Sequence, residues 1–242
     1  MRRRHFGRAV AGSACLLLSG ALWAGSVEVS PVIASLSANH AIEAFTVRNE
    51  GQLPVTVQVS LMKWDQVQGK DVLTPTEELL STPPLFSVAP GQSQILRVGA
   101  MHVTPRDGEI AYRMFLTEVP PPPQPGFRGL SVTLRLSIPI FIEPAKTRSP
   151  QLAWRVMPRA DGGALVDVAN SGTIHAKILA FSLRDKESKG VVRQDTSQYV
   201  LANNHSQWSF ASFQAVRPGD HVALDAMTDT GEVTADLVVQ PQ

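Results

Sequence analysis

The stretch Leu130-Ser131-Val132-Thr133-Leu134-Arg135-Leu136-Ser137-Ile138-Pro139-Ile140-Phe141 alternates apolar with polar residues for almost its whole length. In an extended chain successive side chains point to opposite faces, so Leu130, Val132, Leu134, Leu136, Ile138 and Ile140 form one apolar row along a single long strand. Alternation by itself fits a strand that turns this row onto its own sandwich core. Shorter runs of the same kind lie at residues 44–47, 55–61, 94–98 and 112–118 before it, and at 164–168, 178–183, 190–192, 208–213, 221–226 and 234–239 after it. Turn signals such as Asn49-Glu50-Gly51 and Pro90-Gly91 separate the runs, and helical periodicity is almost absent. Many short strands at this spacing predict an all-β chain built from β-sandwiches.

Composition agrees. Of the 242 residues 43% are apolar and 18% charged, below the roughly 25% charge usual for globular domains, and 18 Pro with 17 Gly punctuate the loops. That argues against disorder, a collagen-like fibre and a multispan membrane protein. The chain opens with Arg2, Arg3, Arg4 and Arg8, then an apolar stretch from Ala9 to Ala24 too short to span a bilayer comfortably, then Gly25 and Ser26. This reads as a signal peptide over residues 1–26, cleaved to start the mature protein at Val27, with no stable membrane insertion. The single cysteine, Cys15, falls inside it, so disulfides, zinc–thiolate sites and cysteine nucleophiles drop out together. Losing four of the 22 Lys+Arg leaves 18 against 21 Asp+Glu, and no basic surplus remains to hold nucleic acid.

The polar, proline-flanked segment Glu143-Pro144-Ala145-Lys146-Thr147-Arg148-Ser149-Pro150 is the best linker. It predicts an N-terminal domain over residues 27–146 and a C-terminal one over 147–242, each long enough to bury a core. The five remaining histidines, His40, His102, His175, His205 and His221, are scattered singly, and none has a spacing that puts two ligands on one metal. Most are expected to face solvent or bond locally, and His175, His205 and His221 to be dispensable for binding. Without a Gly-x-Ser-x-Gly elbow or a phosphate-cradling glycine loop, neither enzyme activity nor a cofactor or metal is expected.

Two stretches are more specific. One is Pro83-Pro84-Leu85-Phe86-Ser87-Val88-Ala89-Pro90-Gly91-Gln92-Ser93-Gln94-Ile95-Leu96-Arg97-Val98; the other runs from Glu109 through Tyr112-Arg113-Met114-Phe115-Leu116-Thr117-Glu118-Val119-Pro120-Pro121 to Phe141. With Val29-Ser30-Pro31, Asn49-Glu50-Gly51 and Trp64, they resemble the PapD-like periplasmic pilus chaperones, above all the branch serving archaic, spore-coat-U-type fimbriae. The resemblance covers nearly all of residues 27–146 in order and the rest more weakly. It implies two immunoglobulin-like sandwiches in an L-shaped arrangement, a periplasmic location, pilin subunits as clients and an outer-membrane usher as recipient. It also implies that residues 130–141 are a donor strand, lending edge hydrogen bonds and groove-filling side chains to an incomplete pilin fold. At roughly 1.5–3 kcal/mol per buried aliphatic side chain, three to six such residues offer about 5–18 kcal/mol gross, much of it offset by association and ordering. An apolar edge strand is a liability without a client, so a self-capping dimer is a further expectation. The alternative is a secreted structural or adhesive β-sandwich protein whose row faces its own core.

The chain departs from that family in two places. Many members anchor the pilin's C-terminal carboxylate with an Arg on the first strand and a Lys on the donor strand; the matching positions here are Ile33 and Pro139, which bind no anion. Arg97, Arg113 and Arg135 become the candidate anchors, because a guanidinium fork holds a carboxylate bidentately, with Arg97 and Arg113 ahead of Arg135 because each sits within a matching motif strand. Members also pair a basic residue before the linker proline with an acid from each domain. Glu109 and Asp229 match the acids, yet the basic position is Glu143, so the hinge needs another device or other cations. The loop from Pro120 to Gly129, with its proline run and Phe127, resembles that of the short-loop chaperones.

Overall fold

The computed structural model describes residues 27–103, 106–120, 132–146, 148–160, 162–185, 191–211, 213 and 217–241, and every regular element among them is a β-strand. One sheet runs in the order β1 (Val27–Ser30), β3 (Ile42–Asn49), β8 (Ser93–Ala100), β6 (Leu79–Thr82). Its partner runs β2 (Ala34–Leu36), β10 (Arg135–Ile142), β9 (Ile110–Val119), β4 (Val55–Val67), β5 (Lys70–Pro75), and β7 (Leu85–Val88) also pairs with β4. Period-two alternation turns Phe45, Val47, Leu96 and Val98 of the first sheet onto Val57, Tyr112, Met114, Leu116, Ile138 and Ile140 of the second, closing one core. A second, separate core lies between β11 (Leu152–Pro158), β12 (Ala164–Asn170), β15 (Asn204–Phe210) and the sheet of β14 (Val191–Val200), β13 (Ala176–Asp185), β16 (His221–Thr228), β17 (Gly231–Val238). Trp154, Val166, Phe181 and Leu224 are among its members.

The two sandwiches share a corner that the absence of a fixed-period repeat conceals. Asn49, at the end of β3, accepts from Gly51 N at 2.9 Å and donates from Nδ2 to the carbonyls of Leu53 and Val88. Asn170, at the end of β12, accepts from Gly172 N at 2.9 Å and donates to the carbonyls of Ile174 and Val200. Both are buried. An Asn amide carries one acceptor and two donors and can mimic a turn's backbone, so each closes a corner where the strand leaves its sheet.

The connection between the cores is tied down at several points. Glu143 N donates to Leu36 O at 2.8 Å, Ala145 N to Arg106 O at 2.9 Å and Thr173 N to Ser149 O at 3.0 Å. Gly172 is required by that path: a Cβ there would lie 2.3 Å from Ser149 O and 2.6 Å from Pro150 Cα.

Strands β1, β2, β5, β6 and β11 carry no matching run in the sequence reading. The first two and β6 are three or four residues long, and all of β5 is exposed, so alternation is too brief or has no buried face to mark it. Leu130, Phe127 and the rest of residues 121–131 lie outside the described residues; of the strand expected over 130–141, residues 132–134 lie outside the paired strand and β10 begins only at Arg135.

Ile140→Ala, in the first core, is expected to cost about 2–5 kcal/mol, and Val132→Ala, outside it, less than about 0.5 kcal/mol. Urea unfolding of the two variants checks the difference.

Candidate functional site

Strand β10 changes character along its length. Ile138 and Ile140 are fully packed in the first core. Leu134 and Leu136 are half-buried against its rim beside Val27, Val57 and Leu116, and Val132 is 79% exposed. Val132, Leu134 and Leu136 are therefore the described residues of the row with apolar surface outside the core, and because two of them are already half-buried the gain on covering them is less than about 5–9 kcal/mol gross. Ile138 and Ile140 already face their own core, as alternation alone suggests.

The open edge follows from hydrogen-bond parity. Glu118 N donates to Leu134 O at 2.9 Å and Leu134 N donates to the Glu118 carboxylate at 3.2 Å, so the main chain of Leu134 faces β9. Because a strand residue directs its N–H and C=O to the same side and the side alternates, Arg135, Ser137 and Pro139 face the other edge. There β2 pairs with β10 only over Ile140–Ile142, in parallel, so among the described residues no strand pairs with that edge from Arg135 to Pro139. Pro139 is the one residue of the three without an N–H, and proline in a sheet belongs on such an edge. Extending the β2 register by one residue sets Ile33 beside Pro139, so the two positions lacking the family's cations are neighbours.

The outward face of β9 and β10 continues into the seam between the sandwiches. Opposite Pro139 in register stands Arg113, whose guanidinium lies 3.7 Å from the centroid of Trp64 and 5.4 Å from that of Tyr199, a residue of the second sandwich. Trp64, Ala111 and Phe141 pack with Leu201 and Tyr199 into an interfacial cluster. Lys177 Nζ reaches the Tyr199 ring at 5.1 Å from the other side of the seam. Among the described residues neither cation has an ion-pair partner. Burial lowers the pKa of Arg113 from its ordinary value, an effect opposed by the charge of Asp71, and a guanidinium remains charged regardless. A half-buried cation held flat by an indole and lacking an acceptor is suited to an incoming carboxylate.

The other candidate cations lie elsewhere. Arg135 stacks over Phe115 at 4.0 Å, at the start of the open edge. Arg97 lies exposed on β8, opposite Ala44 and Thr82, on the outer face of the sheet that does not contain β10. Arg97 and Arg113 rank together because each sits within a matching motif strand, but membership of a strand does not tell which face meets the second sandwich.

Glu109 and Asp229 do come together, and the side chain between them is His175. Its Nδ1 lies 2.7 and 3.0 Å from the Glu109 carboxylate oxygens, and its Nε2 lies 4.0 Å from Asp229 Oδ2. Glu143 instead pairs with Arg148 at 2.9 Å. His175 departs from the expectation that most histidines face solvent or bond locally: its side chain is 14% exposed and stacks on Phe141 at 3.8 Å. No local spacing announces this contact, since Glu109, His175 and Asp229 are brought together only by the docking of two sandwiches. Gln66, likewise unmarked in sequence, is buried, donates to Tyr199 O at 2.8 Å and accepts from Leu201 N at 3.0 Å. Among the described residues no cluster of His, Cys, Asp or Glu could hold a metal, and no helix is long and apolar enough to cross a membrane. A second concavity of about 700 Å³ lies over Lys63, Glu78, Arg106 and Tyr112, where the Tyr112 hydroxyl donates to Glu78 and Lys63 pairs with the same carboxylate.

A two-sandwich all-β chain with an open, apolar strand edge beside a cationic seam defines a class of strand-lending binding protein. A profile of the pili and flagellar-assembly chaperone family, PapD N-terminal domain, matches residues 26–148, and the chain belongs to that family. Among solved structures, one chain of the CsuC–CsuE chaperone–tip adhesion subunit pre-assembly complex, from the archaic chaperone-usher Csu pili of Acinetobacter baumannii, superposes with a TM-score of 0.67 at 21% identity, covering 90% of this chain and 99% of that one. A chain from the Salmonella enterica SafA pilin–SafB chaperone complex gives 0.60 at 18% identity over 88% and 96%. The CupB2 chaperone of Pseudomonas aeruginosa gives 0.57 at 18% over 88% and 100%. At these identities the likeness is one of fold. No protein of curated function matches the sequence significantly.

Gln66→Ala leaves the Tyr199 carbonyl and Leu201 amide without their partner across the seam, a loss of about 1–3 kcal/mol. The Leu201 amide is expected to exchange with deuterium about 10- to 100-fold faster in that variant, measured by hydrogen exchange at constant pH.

Proposed function

We propose that this protein is a periplasmic chaperone of the chaperone–usher pathway that completes pilin subunits by donor-strand complementation and delivers them to an outer-membrane usher. The observation that carries the reading is the open edge of β10 from Arg135 to Pro139, continuous with the exposed Val132 and half-buried Leu134 and Leu136. An incomplete sheet gains main-chain hydrogen bonds from that edge and apolar side chains for its groove, and no cofactor takes part. Arg113, with Lys177 across the seam, is the anchor for the client's C-terminal carboxylate, in place of Ile33 and Pro139. Leu130 belongs to the lent row by sequence, Arg135 borders it, and Arg97 takes no part in the anchor. In the absence of a client, a second copy covers the same edge, since an open apolar strand favours self-pairing. Export through residues 1–26, with the mature chain starting at Val27, places this work in the periplasm. The secreted structural or adhesive sandwich is disfavoured by the exposure of Val132, which has no core of its own to face.

The test is co-expression of the tagged chain with pilin subunits and isolation of periplasmic complexes. A one-to-one complex is expected, and Val132→Asp with Leu134→Asp is expected to abolish it while the chaperone stays folded. Arg113→Ala is expected to lower the recovered complex about tenfold, and Arg97→Ala to leave it unchanged. Unfolding of the doubly charged variant together with failure to retain any pilin overturns the reading.

A further inference from the structure

The contact at His175 has a chemical consequence beyond holding two sheets together. Its backbone N–H also donates to Glu109 Oε2 at 2.9 Å, so Glu109 grips both main chain and ring, and the Glu109 side chain is itself only 5% exposed. Glu109 N in turn donates to Thr173 O at 2.9 Å. Asp229 is fixed by a reciprocal pair with Lys177, whose N donates to Asp229 Oδ1 while Asp229 N donates to Lys177 O. Both carboxylates are therefore positioned by main chain, one on each side of the imidazole.

An ionised carboxylate only accepts hydrogen bonds, so the ring nitrogen facing Glu109 carries a proton in either charge state of the imidazole. The charge states differ at Nε2. In the imidazolium that nitrogen is a donor and faces Asp229 with an attractive charge; in the neutral ring it presents a lone pair to the same carboxylate. The remaining faces of the ring are closed by Phe141 at 3.8 Å and Tyr199 at 5.3 Å. The other charged groups at hand, Lys177 and Arg113, sit against Tyr199. Phe141 is a residue of β10, so the ring braces the root of the strand whose far end is open.

We propose that His175 is a titratable positioning residue that makes the docking of the two sandwiches, and with it the setting of the β10 root, depend on pH. Docking is firm while the ring is charged and satisfies both acids. It loosens as pH rises and the ring gives up its charge, because the Asp229 half of the contact is lost while Glu109, Gln66 and the aromatic seam persist. The docking claim stands on the seam alone; a matching change in client retention would rest on the chaperone reading above.

The experiment uses the mature chain without any client, so that its failure is distinct from failure of that reading. Residues 27–242 contain no cysteine, and Leu53 and Val191 are exposed, one in each sandwich, so Leu53→Cys with Val191→Cys accepts a pair of spin labels. Distance distributions are recorded at pH 5.5 and pH 8.0, with the His175 ring followed by NMR over the same range. A narrow distribution at pH 5.5 and a several-fold larger undocked fraction at pH 8.0 are expected, with the change tracking the His175 titration. His175→Lys should stay docked at both pH values, and His175→Gln should show the looser distribution at both. Gln66→Ala should loosen docking at both while keeping the pH response. Asp229→Asn, which leaves the ring untouched, should remove the response and keeps the proposal testable if a His175 variant does not fold. Distributions identical at the two pH values while the ring titrates, or a pH response that survives in His175→Gln or Asp229→Asn, overturn it.

Discussion

Strand β10 is hydrogen-bonded on both edges only where β2 reaches it, and everything else at the site depends on where that coverage stops. Over Ile140–Ile142 the strand is a central element, flanked by β9 and β2, with its apolar residues in the core. From Pro139 back to Arg135 no described strand pairs with one edge of the same strand, and from Leu136 back to Val132 the apolar row emerges from the core. The buried half fixes the position and twist of the open half without occupying it. An edge of this kind is ordinarily suppressed because it pairs with whatever strand it meets; here the Pro at its inner end limits the donors it offers, and the family to which the chain belongs is one of pilus-assembly chaperones.

The seam beside that edge is held by aromatic stacking and hydrogen-bonded acids more than by opposed formal charges. Trp64, Phe141 and Tyr199 form its apolar centre, Gln66 bridges it as a neutral clamp, and two cations, Arg113 and Lys177, lie against Tyr199 from opposite sides. A cation over an aromatic face keeps part of its electrostatic stabilisation without a carboxylate partner, which leaves it able to accept one later. The acids Glu109 and Asp229 are used separately, on His175, so the position where related chains carry a base can hold Glu143 and pair it with Arg148 at no loss to the hinge. Both sandwiches close a corner with a buried Asn, and in the second this corner also passes Gly172 under the connecting segment.

The strand-rich class, the long alternating row and the turn at Asn49-Glu50-Gly51 were legible in the sequence because period-two alternation and turn chemistry are local properties. Short or wholly exposed strands such as β1 and β5 left no such trace. The pairing of Glu109 with Asp229 was legible only through resemblance, and the side chain between them was not, because His175 has no neighbour in sequence that marks it. What the chain by itself determined is which residues of each strand share a face, since backbone geometry dictates that within a few residues. What only the tertiary structure decided is which of those faces are covered: that Ile138 and Ile140 lie under the opposite sheet while Val132 does not, that Arg113 meets Tyr199 while Arg97 meets solvent, and that a lone histidine stands between two acids. Coverage is set by segments far apart in sequence arriving at the same place, and no local pattern encodes that arrival.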